Sequence, residues 1–307
     1  MRASRIGLEK VPTSLEEVMH LAPGMETVLE LWQPRAGDIL TVVDPEGGIY
    51  RARFLGPGQG VRPFARLPAS IEPRHRRRLA QALPDRERML WIIQKAVELG
   101  VTDIQPVLSA HSSTVSGHGS HSSHNVSAPA SHGSHSSHNV STPAGHGSHS
   151  PRNVTAPTSH GSHPLQDKSV SAGHGSHPLQ DKSATWPRII RKAALQCRRA
   201  MLPEIFPPIP LAEVPLTMEP GEVLLYMDVS GERQALFTLA PTLATRPLTL
   251  LAGPEGGWSD PERDLLQTAG GIAISLGSRL LRTETAGMAA LAVLASAEGT
   301  FTLEEDL

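Results

Sequence analysis

Two glycine-bearing segments near the C-terminus have the residue types that hold a ligand through main-chain contacts. The first is Gly253-Pro-Glu-Gly-Gly257, directly after the apolar run Leu248-Thr-Leu-Leu-Ala252. The second is Leu276-Gly277, directly after Ile272-Ala-Ile-Ser275, leading into Leu280-Leu-Arg-Thr-Glu-Thr-Ala286. Glycine has no Cβ, so backbone N–H and C=O groups there can approach a flat ligand such as an adenine ring. Open α/β sheets bind ligands at the C-terminal ends of their strands, where both segments would stand. The spacing therefore points to a nucleotide-like ligand. The 253–257 loop would also suit a phosphate, although the Gly-x-Gly-x-x-Gly fingerprint and the Lys-Ser/Thr of a P-loop are missing. Both segments would serve equally as plain tight turns.

The elements that must position these loops are legible in the same stretch. Leu248 to Ala252 and Ile272 to Ser275 read as buried strands. Ser259-Asp-Pro-Glu262 is a capping box, and it predicts a helix over 260–268 that ends at Gly270-Gly271. Arg282 to Ser296 is Ala-rich and predicts a second helix. Upstream, Leu79 to Leu83 is a short apolar run, and Pro84-Asp85 opens a helix with Met89, Ile92, Ile93 and Ala96 on one face, stopped by Gly100. Ile104 to Leu108 follows as a strand, which completes a β-α-β unit and favours parallel pairing. Trp186 to Arg199 reads as a further helix. Residues 1–70 differ. Short runs at Val28–Leu31, Ile39–Val43 and Ile49–Phe54, punctuated by Gly37-Asp38 and Gly47-Gly48, predict strands of a small β-barrel.

Between these parts lies a 14-residue repeat, in which His-Gly-Ser-His starts at 118, 132, 146, 160 and 174. Residues 111–184 hold 13 of the 15 histidines and no aromatic side chain, so the segment is expected to be a disordered low-complexity insertion. Loop-closure entropy grows slowly with length, so the flanking 71–307 domain can carry it. Clustered His-x-x-His offers imidazoles to zinc, nickel or copper, but no metal site is assigned. The Asn-Val-Ser/Thr triplets at Asn125, Asn139 and Asn153 match glycosylation sequons only because the unit repeats.

A net charge of −2 does not mark a nucleic-acid binder by itself. Local clusters matter more: Arg74, Arg76, Arg77 and Arg78 form one, and Arg188, Arg191, Lys192, Arg198 and Arg199 another. Together they suggest a phosphate-facing surface, although each alone reads as solvated surface. The lone Cys197 excludes an intrachain disulfide and fits a reducing compartment. The first residues lack an apolar run of signal-peptide length, and Met288 to Ala295 is too short to span a bilayer. A soluble, cytoplasmic protein without membrane contact is expected.

The combination of Gly253-Pro-Glu-Gly-Gly257, Ser275-Leu-Gly277 and Leu280-Leu-Arg-Thr-Glu-Thr-Ala286 resembles the RsmE family, the 16S ribosomal RNA uracil-N3 methyltransferases of the SPOUT superfamily. Ile93-Gln-Lys-Ala-Val-Glu-Leu-Gly-Val101 and Ile104-Gln-Pro-Val-Leu-Ser109 are similar to the same family, and Ala193-Ala-Leu-Gln-Cys197 more loosely. The resemblance implies an α/β fold with a C-terminal trefoil knot on a parallel sheet, preceded by a PUA-like barrel, and a homodimer packed through the knot. It implies that the backbone around Leu251, Gly253, Glu255, Gly256 and Gly257, the turn Leu276-Gly277, and Leu280, Leu281 and Arg282 enclose S-adenosylmethionine. It also implies 16S RNA of the small ribosomal subunit as partner, met by Arg74, Arg76, Arg77, Arg78, Lys95, Arg188 and Arg191.

Methylation at uracil N3 needs a weakly acidic proton removed and developing negative charge on O2 or O4 stabilised. The sulfonium methyl is already electrophilic, so no metal is required. Arg282 is the candidate for placing positive charge by the base or its phosphate. Glu284 is the candidate for orienting Arg282 or relaying the proton. In their structural reading, Glu284 favours the helix dipole and Arg282 forms an ion pair. Two other functions compete: methylation at another RNA position, on transfer RNA or a ribose 2′-hydroxyl, and an impaired RNA-binding protein with a metal-binding His-rich loop.

Overall fold

The larger sheet is built around β11, Leu248–Ala252, whose five residues are all buried. In the computed structural model, which describes residues 4–67, 70–112 and 185–299, β11 lies between β5, Arg77–Ala82, and β9, Val223–Met227. In chain order the first strands are β1, Ile6–Gly7; β2, Ile39–Val43; β3, Ile49–Gly56; and β4, Gly60–Leu67. After β5 come β6, Asp103–Leu108; β7, Glu204–Ile205; β8, Ile209–Pro210; β9; β10, Gln234–Ala235; β11; and β12, Ile272–Ser275. Among the described residues the helices are α1, Glu26–Trp32; α2, Arg86–Glu98; α3, Trp186–Gln196; α4, Leu236–Leu243; α5, Asp260–Thr268; and α6, Thr283–Ala297. The larger sheet runs β10-β12-β9-β11-β5-β6-β7, with β8 also on β6, and these pairings are parallel. Every residue of β5 and β11 is buried, as expected for parallel strands covered on both faces.

The helices begin and end where their chemistry says they should. Asp85 caps α2 by accepting from Arg88 N at 2.9 Å, and Gly100, at φ +86°, follows its last turn. Glu262 closes the capping box of α5 by accepting from Ser259 N at 2.9 Å. α6 packs on β11, with Gly287 facing Ala252.

Two expectations are corrected by the fold. Val28–Leu31 is not a strand but the middle of α1. Val28 and Trp32 are its buried residues, an i, i+4 pair that belongs to a helical face. The smaller sheet is β1-β2-β3-β4, antiparallel from β2 to β4, with β1 parallel to β2. The arginines at 76–78 form no phosphate-facing surface. Arg77 and Arg78 start β5 and Arg76 directly precedes it, and all three side chains are packed inside. Arg76 meets Asp103 at 2.8 Å and Glu222 at 3.3 Å, and Arg78 Nε donates to Asp103 at 2.8 Å. Arg77 pairs with Glu298 and donates to Ala244 O at 3.1 Å and Arg246 O at 2.6 Å. Arg199 is likewise internal, with Glu72 as partner and Val97 O and Val101 O as further acceptors. The cause is common to all four: a buried guanidinium persists where carboxylates and carbonyls satisfy it. The predicted disorder of 111–184 falls almost entirely outside the described residues.

Candidate active site

β9, β11 and β12 are adjacent and parallel, so their C-terminal ends open on one side. The segments that leave them, 228–233, 253–258 and 276–282, wall a cleft of about 830 Å³, which is the size of a site for a drug-sized ligand. Each wall has a local reason for its shape. Gly253 lies under Trp258, where a methyl group would come 3.0 Å from the indole, and Trp258 Nε1 donates to Met227 O at 2.9 Å. The indole thereby ties the first glycine loop to the end of β9. Gly277 has φ +121°, a conformation open to glycine, and Ser275 Oγ accepts from its N–H at 3.2 Å. Asp228 fixes the third segment by accepting from Val229 N at 2.7 Å and Ser230 N at 3.2 Å, while Arg263 binds its other oxygen at 2.9 Å.

Gly253, Glu255, Gly256, Gly257, Leu276, Gly277, Leu280, Leu281, Arg282 and Glu284 all line this cleft. The structure thus brings together every predicted cofactor and catalytic residue except Leu251. Its side chain is fully buried, in the same core cluster as Trp258, because alternate residues of a strand face opposite ways and Ala252 is the one that reaches the cleft; the expected contact of Leu251 is through its backbone. Arg282 caps α6, is exposed, and has no side-chain partner among the described residues. Glu284 sits in the first turn of α6, with Oε2 buried and without a hydrogen-bond partner. It does not pair with Arg282. Its Oε1 lies 3.9 Å from Arg88 Nε.

Arg88 escaped the sequence reading. From the first turn of α2 it pairs with Glu255 on the glycine loop and faces Glu284 on α6, so one side chain links α2 to both at the cleft mouth. The hydrogen bond to Glu255 holds the guanidinium above its ordinary pKa. Asp228, Arg233, Trp258, Arg263 and Arg279 were missed as well. The apolar run Val223-Leu-Leu-Tyr-Met227, ending in Asp228, was the available signal for a third strand with a ligand-facing end. Five arginines against three carboxylates line the cleft, a balance that favours an anionic partner. Of the predicted RNA contacts, Arg74 and Arg188 are exposed and Arg191 is half-buried, while Lys95 pairs with Glu98 at 3.0 Å.

A family model described as the RNA methyltransferase domain matches residues 72–146 and 165–295, more than half of the chain. Among similar curated proteins, the ribosomal RNA small subunit methyltransferase E of Synechocystis is 33% identical over 109 residues, covering 35% of this chain and 36% of that protein. The protein of the same name from Bacillus subtilis is 31% identical over 114 residues, covering 36% and 44%. These matches span less than half of either relative. A crystal structure of a ribosomal RNA small subunit methyltransferase E from Neisseria gonorrhoeae bound to S-adenosyl methionine aligns with TM-score 0.53 and 22% identity, over 95% of this chain and 97% of that one. At that identity it speaks for the fold. Fold, cleft position and family match agree: the chain belongs to the RNA methyltransferase domain family.

Proposed function

We propose that this chain methylates N3 of a uridine in 16S ribosomal RNA, with S-adenosylmethionine as donor. The observation that carries the reading is the joint arrival of both glycine loops, a free Arg282 and Glu284, whose buried Oε2 lacks a hydrogen-bond partner, at the ends of β11 and β12. The cleft fits the cofactor on its own terms. Apolar wall from Ala252, Ile274 and Leu276 suits a ring, and the buried, unsatisfied Glu284 Oε2 is an acceptor awaiting a donor. The main chain of 253–257, Leu276-Gly277 and Leu280–Arg282 would hold it. S-adenosylmethionine supplies an electrophilic methyl group on a sulfonium centre. In this reading Glu284 takes the N3 proton, and Arg282 faces the negative charge that develops on the base carbonyl oxygens.

The same proposal includes the trefoil knot, the homodimer, a cytoplasmic setting and the 71–307 catalytic domain. It assigns RNA contact to a PUA-like barrel within 1–70 and to Arg74, Lys95, Arg188 and Arg191, without Arg76, Arg77 and Arg78. Names of relatives support it: the Synechocystis and Bacillus subtilis proteins are ribosomal RNA small subunit methyltransferases. Calorimetry with S-adenosylmethionine tests the donor, and no detectable binding would defeat the reading. Mass spectrometry of ribosomal RNA from a deletion strain tests the target. N3-methyluridine is expected to vanish from the small-subunit RNA, and its persistence would point to another RNA position.

A further inference from the structure

The 253–257 loop is also held from outside the cleft, by a turn that the proposed chemistry does not use. β6 ends at Leu108, and residues 109–112 close on themselves. Ser112 N donates to Ser109 O at 3.1 Å, Ser109 N donates to Ser112 Oγ at 3.1 Å, and the two hydroxyls lie 2.8 Å apart. Both serines are buried. The turn is tied to α5 as well: Ala110 N donates to Glu262 Oε1 at 2.8 Å, and Glu262 is the residue that closes the capping box. A short, doubly anchored turn of this kind presents its remaining side chain in a fixed direction. That side chain is His111. Its Nδ1 lies 2.9 Å from Gly257 O. A carbonyl only accepts, so Nδ1 carries the proton and donates. The imidazole also covers Gly256, where an added methyl group would lie 3.0 Å from His111 Cβ and Cγ. A side chain at 256 would therefore press on the ring, which would have to give by a few tenths of an ångström. His111 itself borders no part of the cleft.

We propose that His111 is a positioning residue for the glycine loop. It fixes Gly256 and Gly257 in their ligand-binding shape, so the loop's affinity depends on this side chain at the edge of the His-rich segment and not on the repeats beyond it. The affinity part rests on the S-adenosylmethionine reading above, whereas the positioning part does not. The functional consequence is a physical link: whatever moves residues 109–112 moves the wall of the cleft.

Amide hydrogen exchange of the 253–258 segment in the ligand-free, full-length protein separates the two parts. H111A is expected to speed exchange there about tenfold, the equivalent of one lost hydrogen bond. H111N, whose side-chain amide can donate to the same carbonyl, is expected to stay within about threefold of the parent chain. In calorimetry, H111A should weaken S-adenosylmethionine binding about tenfold with an unchanged melting temperature, and H111N should restore it. In kinetics, KM for the cofactor should rise while kcat holds. Replacing residues 113–184 with a short linker, His111 retained, should leave exchange and affinity as they are. Unchanged exchange and affinity in H111A overturn the proposal, as does an equal loss when only 113–184 is removed. If exchange responds but the parent chain binds no S-adenosylmethionine, the positioning role stands and the cofactor reading falls.

Discussion

Arg282 and Arg78 have the same side chain in opposite circumstances, and the difference decides what each can do. Arg78 is enclosed by Asp103 and Thr217 and stacks 5.7 Å from the Phe206 ring, so its charge is committed to the fold. Arg282 keeps its donors free at the cleft. R282A is expected to lower kcat about 100-fold, the usual loss for one charge-stabilising donor, with cofactor affinity within about threefold. R282K should recover little, since an ammonium lacks the planar fork. A variant that keeps full kcat would remove Arg282 from the chemistry. Arg88 makes a different prediction. Its pairs with Glu255 and Glu284 lie at the exposed mouth, where ion pairs add little to stability. R88A should therefore leave the melting temperature unchanged and weaken cofactor binding by freeing the glycine loop. A fall in melting temperature without loss of binding would make the residue merely structural. Sequence showed the free residue, Arg282, because it lies inside a motif. It hid Arg88, because Glu255 stands 167 positions away and only the fold brings them together.

At the scale of elements, the start of β5 and β6 is an ionic core. Burial alone would raise the Asp103 pKa, but hydrogen bonds from Arg76 and Arg78 hold it below the ordinary carboxylate range. A carboxylate depressed in the folded state stabilises fully above its unfolded pKa, about 3.9, and that stability is lost as pH falls through the folded value. The parent chain should lose stability on acidification below about pH 4 partly through this group. D103N leaves two buried guanidinium groups short of a partner, so it should cost about 3–5 kcal/mol at neutral pH and flatten that acid limb. Chemical denaturation at several pH values measures both, and a mutant as stable as its parent at pH 7 would rule out the ionic core. The elements that the sequence displayed best are those whose signals are local. β11, α5 and β12 have the expected bounds, because an apolar run, a capping box and a paired glycine stop act over a few residues. α4 carries Pro241 inside it, and β7, β8 and β10 span two residues each, too short for any periodicity to register. The arginine run at 76–78 was misread for a related reason. Composition records charge, whereas burial depends on Asp103, Glu222 and Glu298 arriving from elsewhere in the chain.

At the scale of the whole molecule, a long low-complexity segment follows β6 of the larger sheet and precedes α3 in the sequence. Closing a long loop costs only slightly more than closing a short one. Exchanging 113–184 for a short linker should raise unfolding free energy by roughly 1–2 kcal/mol at most. A loss of stability in urea titration would show that the segment packs on the fold. The sheet order was beyond sequence reading for the converse reason: β5 and β11 are neighbours across most of the chain, and no local pattern encodes that pairing. Trp258 joins these scales. Its indole is 2% exposed, rests on Gly253 and is bonded to the end of β9, with the cleft on its border. The other three tryptophans, Trp32, Trp91 and Trp186, do not border the cleft. The protein thus carries an optical reporter at the place where a ligand would enter. Emission should shift on titration with S-adenosylmethionine, and W258F should silence that change while leaving the light from the other three indoles in place.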